Sequence, residues 1–235
     1  MLRAIHRDIP ASGARIALEE AEGRHVAQVL RARVGDSLEL LDGAGARANA
    51  VIEEISGRGR KVTVRVLART DCPLQSPRLT VYLAPPRGKA MPRILRYATE
   101  LGIAELCPIM TEFSTAKPST DAVANWQTDV LEAAKQCGNP RIPIIYPPQT
   151  FAEALASVAL PGFVAAVPEP GPAAQDEVPA ECALWIGPEG GFSDPELELL
   201  RTRGFKNLSV GGWILRVETA LVACTGVLLD RSSAT

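Results

Sequence analysis

Two glycine-containing segments near the carboxyl terminus hold residue types that could carry chemistry. The first, IGPEGGFSDPE at 186–196, directly follows CALWI, an apolar run that predicts a buried strand. Pro188 fixes one backbone dihedral, whereas Gly190 and Gly191 permit positive φ, so the chain can bend sharply with bare amides and carbonyls. Such a bend suits a flat, hydrogen-bonding ligand such as adenine. A plain strand-to-helix turn would not require the carboxylate of Glu189.

A helix is predicted to begin at the end of this first segment. Ser193 is a typical N-cap residue and Glu196 follows three positions later, which is the pattern of a capping box. Pro195 lies within the first turn, where a missing amide hydrogen is tolerated.

The second segment is VGGWILRVETA at 210–220. Gly211 and Gly212 interrupt an apolar run, and Arg216 and Glu218 then flank the predicted start of a helix. An arginine stays charged and presents a rigid fork, so it could stabilise an anion that develops during a reaction. The alternative is that the two residues form a surface ion pair, which would contribute little.

Alternating strands and helices are predicted to position both segments. Apolar strands are predicted at LTVYLAP, ELCPIM, FVAAV and CALWIG, and helices at MPRILRYATELG, AVANWQTDVLEAAKQ, PELELLRTR and VETALVACTGVLL. This alternation predicts an α/β domain with a mostly parallel sheet, whose ligands bind beyond the carboxyl ends of the strands.

The first 70 residues have a different pattern. DSLELLDG, ANAVIEEI and KVTVRVLA predict short strands of a small antiparallel sheet or barrel, with one helix around EEAEGRHVAQVLR. GAGARA at 43–48 matches a dinucleotide-binding pattern, but a strand-like segment follows it, so a hairpin turn is predicted. We expect a binding domain at 1–70, a linker at 71–77 and an α/β domain at 78–235.

Charge is unevenly distributed along the 235 residues, whose formal net charge is −2. Residues 1–70 contain 12 Lys and Arg against 9 Asp and Glu. Between Asp71 and Glu100 there are five basic residues and no acid, which indicates either a positive stripe or scattered solvated arginines.

Several classes of protein are disfavoured by composition. Five widely spaced cysteines without a CxxC pair, and only two histidines, predict neither a disulfide framework nor a metal site. No apolar run of membrane-spanning length and no secretory pattern is present, so a cytoplasmic location is expected. A phosphate-binding loop of the nucleoside triphosphatases is also absent from the sequence.

The two glycine segments, in this order, resemble those of SPOUT methyltransferases, and in particular the RsmE family, which methylates N3 of a uridine in small-subunit ribosomal RNA. HVAQVLRARVGDSLELLDG at 25–43, ATELGI at 98–103 and EAAKQCGNPRIP at 132–143 add to the resemblance, which spans nearly the whole chain. It implies an α/β domain with a deep trefoil knot and a mostly parallel sheet, preceded by a small PUA-like β-barrel domain that binds RNA.

The resemblance also implies a cofactor, S-adenosyl-L-methionine, and a homodimer with the cofactor site near the subunit interface. The helix at 217–229, which has small residues at Ala220, Ala223 and Gly226, is a candidate for that interface. The implied cofactor contacts are Val167, Pro168, Ile186, Gly187, Gly190, Gly191, Val210, Gly211, Ile214 and Leu215.

Uracil N3 becomes nucleophilic only when its proton leaves, and negative charge then spreads onto the two flanking carbonyl oxygens. Arg216 is the candidate that would stabilise this anion. Glu218 could orient Arg216, or with Glu189 could accept the proton through water. The predicted RNA contacts are Arg3, Arg24, His25, Arg31, Arg87, Lys89 and Arg141.

Two other functions stay open at this point: a related knotted enzyme acting on an RNA ribose or on transfer RNA, and a non-catalytic RNA-binding scaffold. The chain also departs from the family pattern. Trp213 stands where a basic residue is usual, Lys135 stands where an acid is common, and TEFSTAKPS at 111–119 lacks an expected arginine.

Overall fold

The chain forms two compact units in a computed structural model, which describes residues 1–116, 118, 120–167 and 177–232. The first unit contains Met1–Leu74 together with Leu131–Ile142. The second contains Gln75–Val130 and Pro143–Thr235. No helix in the described part of the chain is long and apolar enough to cross a membrane.

The first unit is built on a five-stranded sheet with the order β1-β3-β4-β5-β2. Its elements are β1 (Leu2–Ile5), β2 (Arg15–Ala17), α1 (Glu20–Arg24), a π-helix (His25–Val29), β3 (Ser37–Leu41), β4 (Ala46–Ser56), a 3₁₀ turn (Gly57–Gly59) and β5 (Lys61–Asp71). Strands β3, β4, β5 and β2 pair antiparallel, but β1 pairs parallel to β3, so the sheet is mixed. The GAGARA segment lies in the β3–β4 turn, as predicted, where Asp42 Oδ1 accepts hydrogen bonds from three successive amides.

Alternation of side chains along the long strands creates the core of this unit. In β4, Ala46, Ala48, Ala50 and Ile52 are buried while the residues between them are more exposed. A strand with one buried face shows this period of two. Of these residues, Ala48, Ala50 and Ile52 pack in one cluster with Val62, Val64 and Val66 of β5.

The predicted helix around EEAEGRHVAQVLR is divided. It begins as an α-helix and continues as a π-helix in which the Leu30 amide donates to the His25 carbonyl. π-helical turns are rare and occur often at functional sites.

Residues Leu131–Ile142 were expected in the second domain, but they belong to the first compact unit. Lys135, only 8% exposed, forms ion pairs with Glu22 at 3.1 Å and Glu132 at 2.7 Å. Burial alone would lower the pKa of Lys135, but the two carboxylates outweigh that effect and raise it. A cation at this position therefore has a structural role.

The second unit is built on a parallel sheet with the order β12-β10-β11-β6-β7-β8, and β9 also pairs with β7. Its strands are β6 (Arg78–Leu83), β7 (Glu105–Met110), β8 (Ile144–Ile145), β9 (Gln149–Thr150), β10 (Gly162–Ala165), β11 (Glu181–Ile186) and β12 (Lys206–Leu208). Its helices are α2 (Met91–Glu100), α4 (Phe151–Ser157), α5 (Asp194–Thr202) and α6 (Val217–Ser232), and α3 (Thr120–Cys137) begins in this unit. The predicted α/β sheet is therefore present.

Aromatic packing holds the centre of this sheet. Trp185 of β11 is fully buried and stacks on Tyr82 with ring centroids 4.3 Å apart, while Phe151 and Phe205 meet it edge-on. Phe151 begins α4, a helix that the sequence analysis did not predict. The signal was available, because Thr150 and Glu153 form a capping box at its start.

Candidate active site

A cavity of about 370 Å³ lies at the carboxyl ends of β10, β11 and β12, and we call it the donor cavity. Both glycine segments line it, although residues 197–209 separate them in the sequence. The predicted cofactor contacts that line it are Val167, Ile186, Gly187, Gly190, Gly191, Val210, Ile214 and Leu215. Residues of both segments that were predicted to contact the cofactor therefore line one common cavity.

Two predicted cofactor residues need separate comment. Gly211 has a φ of +74° and is the one predicted contact among the described residues that does not line the donor cavity. Its glycine identity is explained by the backbone conformation, since left-handed φ disfavours a residue with a Cβ. Pro168 lies outside the described residues.

The first bend, Gly187–Gly191, is shaped by close packing within the second unit. A Cβ on Gly187 would lie 3.0 Å from the Gly191 carbonyl carbon and 3.2 Å from the Phe192 ring. A Cβ on Gly190 would lie 3.3 Å from Phe113, which belongs to the loop after β7. Neither position has room for a side chain without movement of a neighbour.

Glu196 links the first bend to the loop after β7. Its carboxylate accepts a 2.9 Å hydrogen bond from the Ser193 amide, as the capping-box pattern predicted, and another of 2.9 Å from the Glu112 amide. Glu196 is only 8% exposed, so both are charge-assisted bonds in a protected environment. The sequence showed the local cap but gave no signal for the contact with Glu112, which is 84 residues away.

The second bend, Val210–Leu215, is open. Among the described residues, no atom lies within 4 Å of a Cβ built on Gly211 or Gly212, apart from those of chain neighbours. Trp213 is 84% exposed and Ile214 is 76% exposed, yet both line the donor cavity.

A second cavity of about 520 Å³, which we call the acceptor cavity, contains most of the charged residues of the site. It is lined by Pro86, Arg87, Lys89, Ala90, Arg93, Glu189, Arg216, Val217 and Glu218. All three predicted catalytic residues are in this list. Glu189 and Val217 line both cavities, so the two spaces adjoin.

Glu218 pairs with Arg93, and not with Arg216, which was one of the two partners or roles considered from the sequence. Its carboxylate lies 3.7 Å from the guanidinium of Arg93 on α2, and it forms no ion pair with Arg216. Within the described part of the chain, the Arg216 guanidinium has no ion-pair partner, and the residue is exposed. The idea that Glu218 orients Arg216 is therefore wrong for this structure, because Arg93 occupies the carboxylate.

Glu189 is held by the loop after β6. Its Oε1 accepts a hydrogen bond of 3.1 Å from the backbone amide of Arg87, and the Arg87 side chain donates a bond of 2.5 Å to Thr115 Oγ1. Glu189 is itself exposed, so its carboxylate remains accessible from the cavities. Arg93 was noted in the sequence only as part of the basic stripe between residues 71 and 100, and its partner could not be predicted.

The predicted RNA contacts fall into two groups. Arg24, Arg31, Arg87 and Lys89 are exposed and His25 is half-buried. Arg3 pairs with Glu39 at 2.6 Å and also donates to the carbonyls of Lys135 and Gln136. Arg141 donates to the carbonyls of Ala44 and Cys72 at 2.5 and 2.7 Å. The guanidinium groups of Arg3 and Arg141 are thus used inside the first unit, whereas the exposed cations of the first group have more freedom to meet RNA.

Burial makes the cysteine of the donor cavity a poor nucleophile. Cys224 is 2% exposed and lines the cavity, and burial raises the pKa of its thiol to about 11. Among the described residues, no group of three or more His, Cys, Asp or Glu side chains could hold a metal ion. The groups available for chemistry are thus arginines, carboxylates and backbone amides.

Comparison with known families agrees with this geometry. The RNA methyltransferase domain model matches residues 74–229, and the RNA methyltransferase PUA domain model matches residues 18–66. The ribosomal RNA small subunit methyltransferase E of Synechocystis is 33% identical over 215 residues, which cover 88% of this chain and 70% of that protein. The protein of the same name from Mycobacterium tuberculosis is 30% identical over 94% of this chain and 88% of its own length.

Solved structures show the same fold. A methyltransferase from Legionella pneumophila in complex with the bound cofactor SAM is 28% identical, with a TM-score of 0.85 over 97% of both chains. A ribosomal RNA small subunit methyltransferase E from Neisseria gonorrhoeae bound to S-adenosyl methionine is 24% identical, with a TM-score of 0.88 over 98% of this chain and 97% of that one. The predicted fold class, a SPOUT-type α/β domain preceded by a PUA-like domain, is confirmed. The chain therefore belongs to the family of ribosomal RNA small subunit methyltransferases E, the RsmE family that its two glycine bends predicted.

Proposed function

We propose that this protein transfers a methyl group from S-adenosylmethionine to N3 of a uridine in small-subunit ribosomal RNA. The observation that carries the proposal is the pair of adjoining cavities. One is lined by the two glycine bends, the other by four cations and two carboxylates, and Glu189 and Val217 belong to both. A methyl donor and a charged acceptor nucleotide would thus meet at their boundary.

The donor cavity fits the cofactor. Its volume of about 370 Å³ is within the range of small-molecule pockets, and most of its lining is backbone or apolar side chain. A Cβ at Gly187 would lie 3.0 Å from Gly191 and one at Gly190 would lie 3.3 Å from Phe113, so a side chain at either position would displace the bend that lines the cavity. When bound there, S-adenosylmethionine would supply a sulfonium methyl group, and the two bends would fix its position relative to the acceptor.

Arg216 and Glu189 divide the chemistry in this proposal. Glu189 accepts the proton of uracil N3, directly or through water, because its carboxylate reaches both cavities. Negative charge then spreads onto the uracil carbonyl oxygens, and the unpaired guanidinium of Arg216 stabilises it. The N3 lone pair forms the new bond to the methyl carbon as the bond from that carbon to sulfur breaks.

The remaining residues of the acceptor cavity position these two groups and the RNA. Arg93 fixes Glu218 at 3.7 Å, so that a carboxylate stays beside the cavity without neutralising Arg216. Arg87 and Lys89 are exposed cations that can neutralise phosphates of the target strand. The target base must be unstacked to enter.

We also propose that the protein is a homodimer in which a partner subunit covers the second bend. Trp213 and Ile214 are exposed large apolar side chains, and Val222 of α6 is 37% exposed. Outside helix α6 itself, no atom of the described residues lies within 4 Å of a Cβ built on Gly226, which leaves room for a close contact at this position. Light scattering should give twice the mass of one chain. The double substitution of Trp213→Ser and Ile214→Ser should shift the measured mass towards that of a single chain. A monomer mass for the unaltered protein would contradict the dimer.

We assign RNA binding to the PUA-like domain at 1–70 and methyl transfer to the domain at 78–235, joined at 71–77. The matched family models at 18–66 and 74–229 support this division. We further propose a cytoplasmic location, which the five free cysteines support, because thiols persist in a reducing compartment.

The decisive experiment is methyl transfer with labelled cofactor onto small ribosomal subunits, or their RNA, from cells that lack the protein. We expect 3-methyluridine at one position, identified by mass spectrometry of nucleosides and mapped on the RNA. A ribose-methylated nucleoside, or label in transfer RNA, would indicate a related knotted enzyme instead. Absence of both cofactor binding and label would indicate a non-catalytic scaffold.

A further inference from the structure

A basic surface lies on the first unit, where the β4–β5 hairpin tip meets the end of the π-helix and residues 30–33 that follow it. Of its cations, only Arg31 was among the predicted RNA contacts. The hairpin tip has the sequence GRGRK at Gly57–Lys61. Gln28 of the π-helix donates a 2.9 Å hydrogen bond to the Arg58 carbonyl. A Cβ on Gly59 would lie 3.1 Å from the Ala27 Cβ, so the tip and the π-helix are in close contact. We call this the tip surface.

The cations of the tip surface differ from the other arginines of the same unit. Arginines on the sheet are ion-paired at 4.0 Å or less: Arg3, Arg15, Arg47, Arg65 and Arg69. The cations of the tip surface are exposed and have no ion pair within the described part of the chain: Arg31, Arg33, Arg58, Arg60 and Lys61. The nearby Asp36 carboxylate is bound to the backbone amide of Arg33.

Backbone strain is concentrated at the same place. Among the described residues, only two that are not glycine have positive φ, and both are arginines of the tip surface: Arg31 at 55° and Arg58 at 60°. A residue with a Cβ is disfavoured there, whereas glycine or asparagine would fit easily. Strained residues persist where the surrounding structure imposes them, and they cluster at functional positions. Stability alone does not explain an arginine at either position.

We propose that the tip surface binds the phosphodiester backbone of RNA, with Arg31, Arg58 and Arg60 as the main contacts. The proposal rests on the proposed function, since an RNA methyltransferase must also bind parts of its RNA substrate away from the base that it methylates. Charge complementarity favours this partner, because unpaired exposed cations gain most from neutralising phosphates. Phosphate contacts set the register of an RNA without reading its sequence. The predicted contacts Arg24 and His25 adjoin this surface, at the start of the π-helix.

The test compares salt-dependent RNA binding by full-length variants. Arg31→Asn, Arg58→Asn and Arg60→Gln are combined; asparagine tolerates the left-handed conformation, so folding should be kept. We expect affinity for small-subunit ribosomal RNA to fall by on the order of 10-fold or more at physiological salt. The slope of log Kd against log salt should become shallower by about one for each cation removed. In turnover assays KM for RNA should rise while kcat stays constant.

Three matched measurements make the result specific. Arg15→Gln removes an exposed arginine that is already paired with Glu53, and it should leave the slope unchanged. Arg58→Lys keeps the charge and should keep the slope. Binding of S-adenosylmethionine should be equal in every variant.

The outcomes separate this inference from the proposed function. If the unaltered protein methylates RNA and the triple variant keeps its affinity and slope, the tip surface is not an RNA site but the proposed function stands. If the unaltered protein neither binds nor methylates RNA, both fail. Binding of the tip surface to phosphatidylserine vesicles, with RNA affinity unaffected by the substitutions, would indicate a membrane partner and overturn the inference.

Discussion

The two glycine bends of the donor cavity look alike in sequence and differ in structure. Gly187 and Gly190 are tightly enclosed by Phe192 and Phe113, and Glu196 ties the first bend to a neighbouring loop. Around Gly211 and Gly212 of the second bend there is open space, and Trp213 is 84% exposed.

This difference shows that glycine serves two different physical purposes in the two bends. At Gly187 glycine is needed because a side chain has no room, whereas at Gly211 it is needed because the backbone has positive φ. The first bend is therefore defined by packing at Gly187 and Gly190, and by positive φ only at Gly191. The second bend is defined by its own backbone, and in our proposal a partner subunit completes it.

The largest effect should come from the residue at the end of the second bend. We expect Arg216→Ala to lower kcat for methyl transfer by about 10³-fold, because the anion on the uracil loses its stabilising charge. Cofactor affinity, measured by calorimetry, should change little, since Arg216 lines only the acceptor cavity. Turnover close to that of the unaltered protein would refute the role. A loss of cofactor binding alone would instead assign Arg216 to the donor cavity.

A side chain in the first bend should have the next largest effect. Gly187→Ala places a Cβ 3.0 Å from the Gly191 carbonyl carbon, and we expect cofactor affinity to fall about 10- to 100-fold. Gly212→Ala is the matched control, because its Cβ would meet no atom of the described residues within 4 Å, chain neighbours apart. If both substitutions lowered cofactor affinity equally in monomeric protein, the two bends would not differ in the way described here.

Removing the charge of Glu196 should have a moderate effect. Glu196→Gln keeps the size of the side chain but weakens the bonds from the amides of Ser193 and Glu112. We expect cofactor affinity to fall about 3- to 10-fold, with kcat unchanged at saturating cofactor. The contrary result, a lower kcat with unchanged affinity, would mean that this residue acts on the acceptor side.

Alkylation of Cys224 is the most sensitive probe of the second bend. Because burial raises the pKa of this thiol to about 11, only about one molecule in 10³ carries the thiolate at pH 8. Cys137 is exposed, so iodoacetamide should modify it first, as mass spectrometry would show. The modification rate of Cys224 should rise with pH up to about 11. Rapid modification at pH 8 would reveal that the second bend opens in solution.

Much of the site could be predicted from short-range sequence signals. Positive φ at Gly191 and the Glu196 cap on the Ser193 amide depend on residues a few positions apart. Gly190, at which the sequence also permitted positive φ, does not adopt it. The resemblance of the paired bends to RsmE proteins supplied the cofactor, and the family matches confirm that recognition. Helix α4 was not predicted, although Thr150 and Glu153 at its start have the sequence pattern of a capping box.

Contacts between distant residues were beyond the sequence. Arg3 and Arg141 look like ordinary surface arginines in the sequence, but the fold brings backbone carbonyls to their guanidinium groups. Glu218 was expected near Arg216, two positions away, but pairs with Arg93 of α2. Adjacent residues at a helix start point in different directions, so spacing alone does not decide which pair forms.

The sequence by itself determined the two bends, the alternating elements and the charged residues that follow them, because these depend on backbone sterics and local hydrogen bonds. Tertiary structure alone decided which arginines are used internally and which remain free. It also decided that Glu189 lies between two cavities. The physical reason is that an ion pair or a cavity wall requires groups far apart in the chain to meet, and only the packed fold fixes those distances.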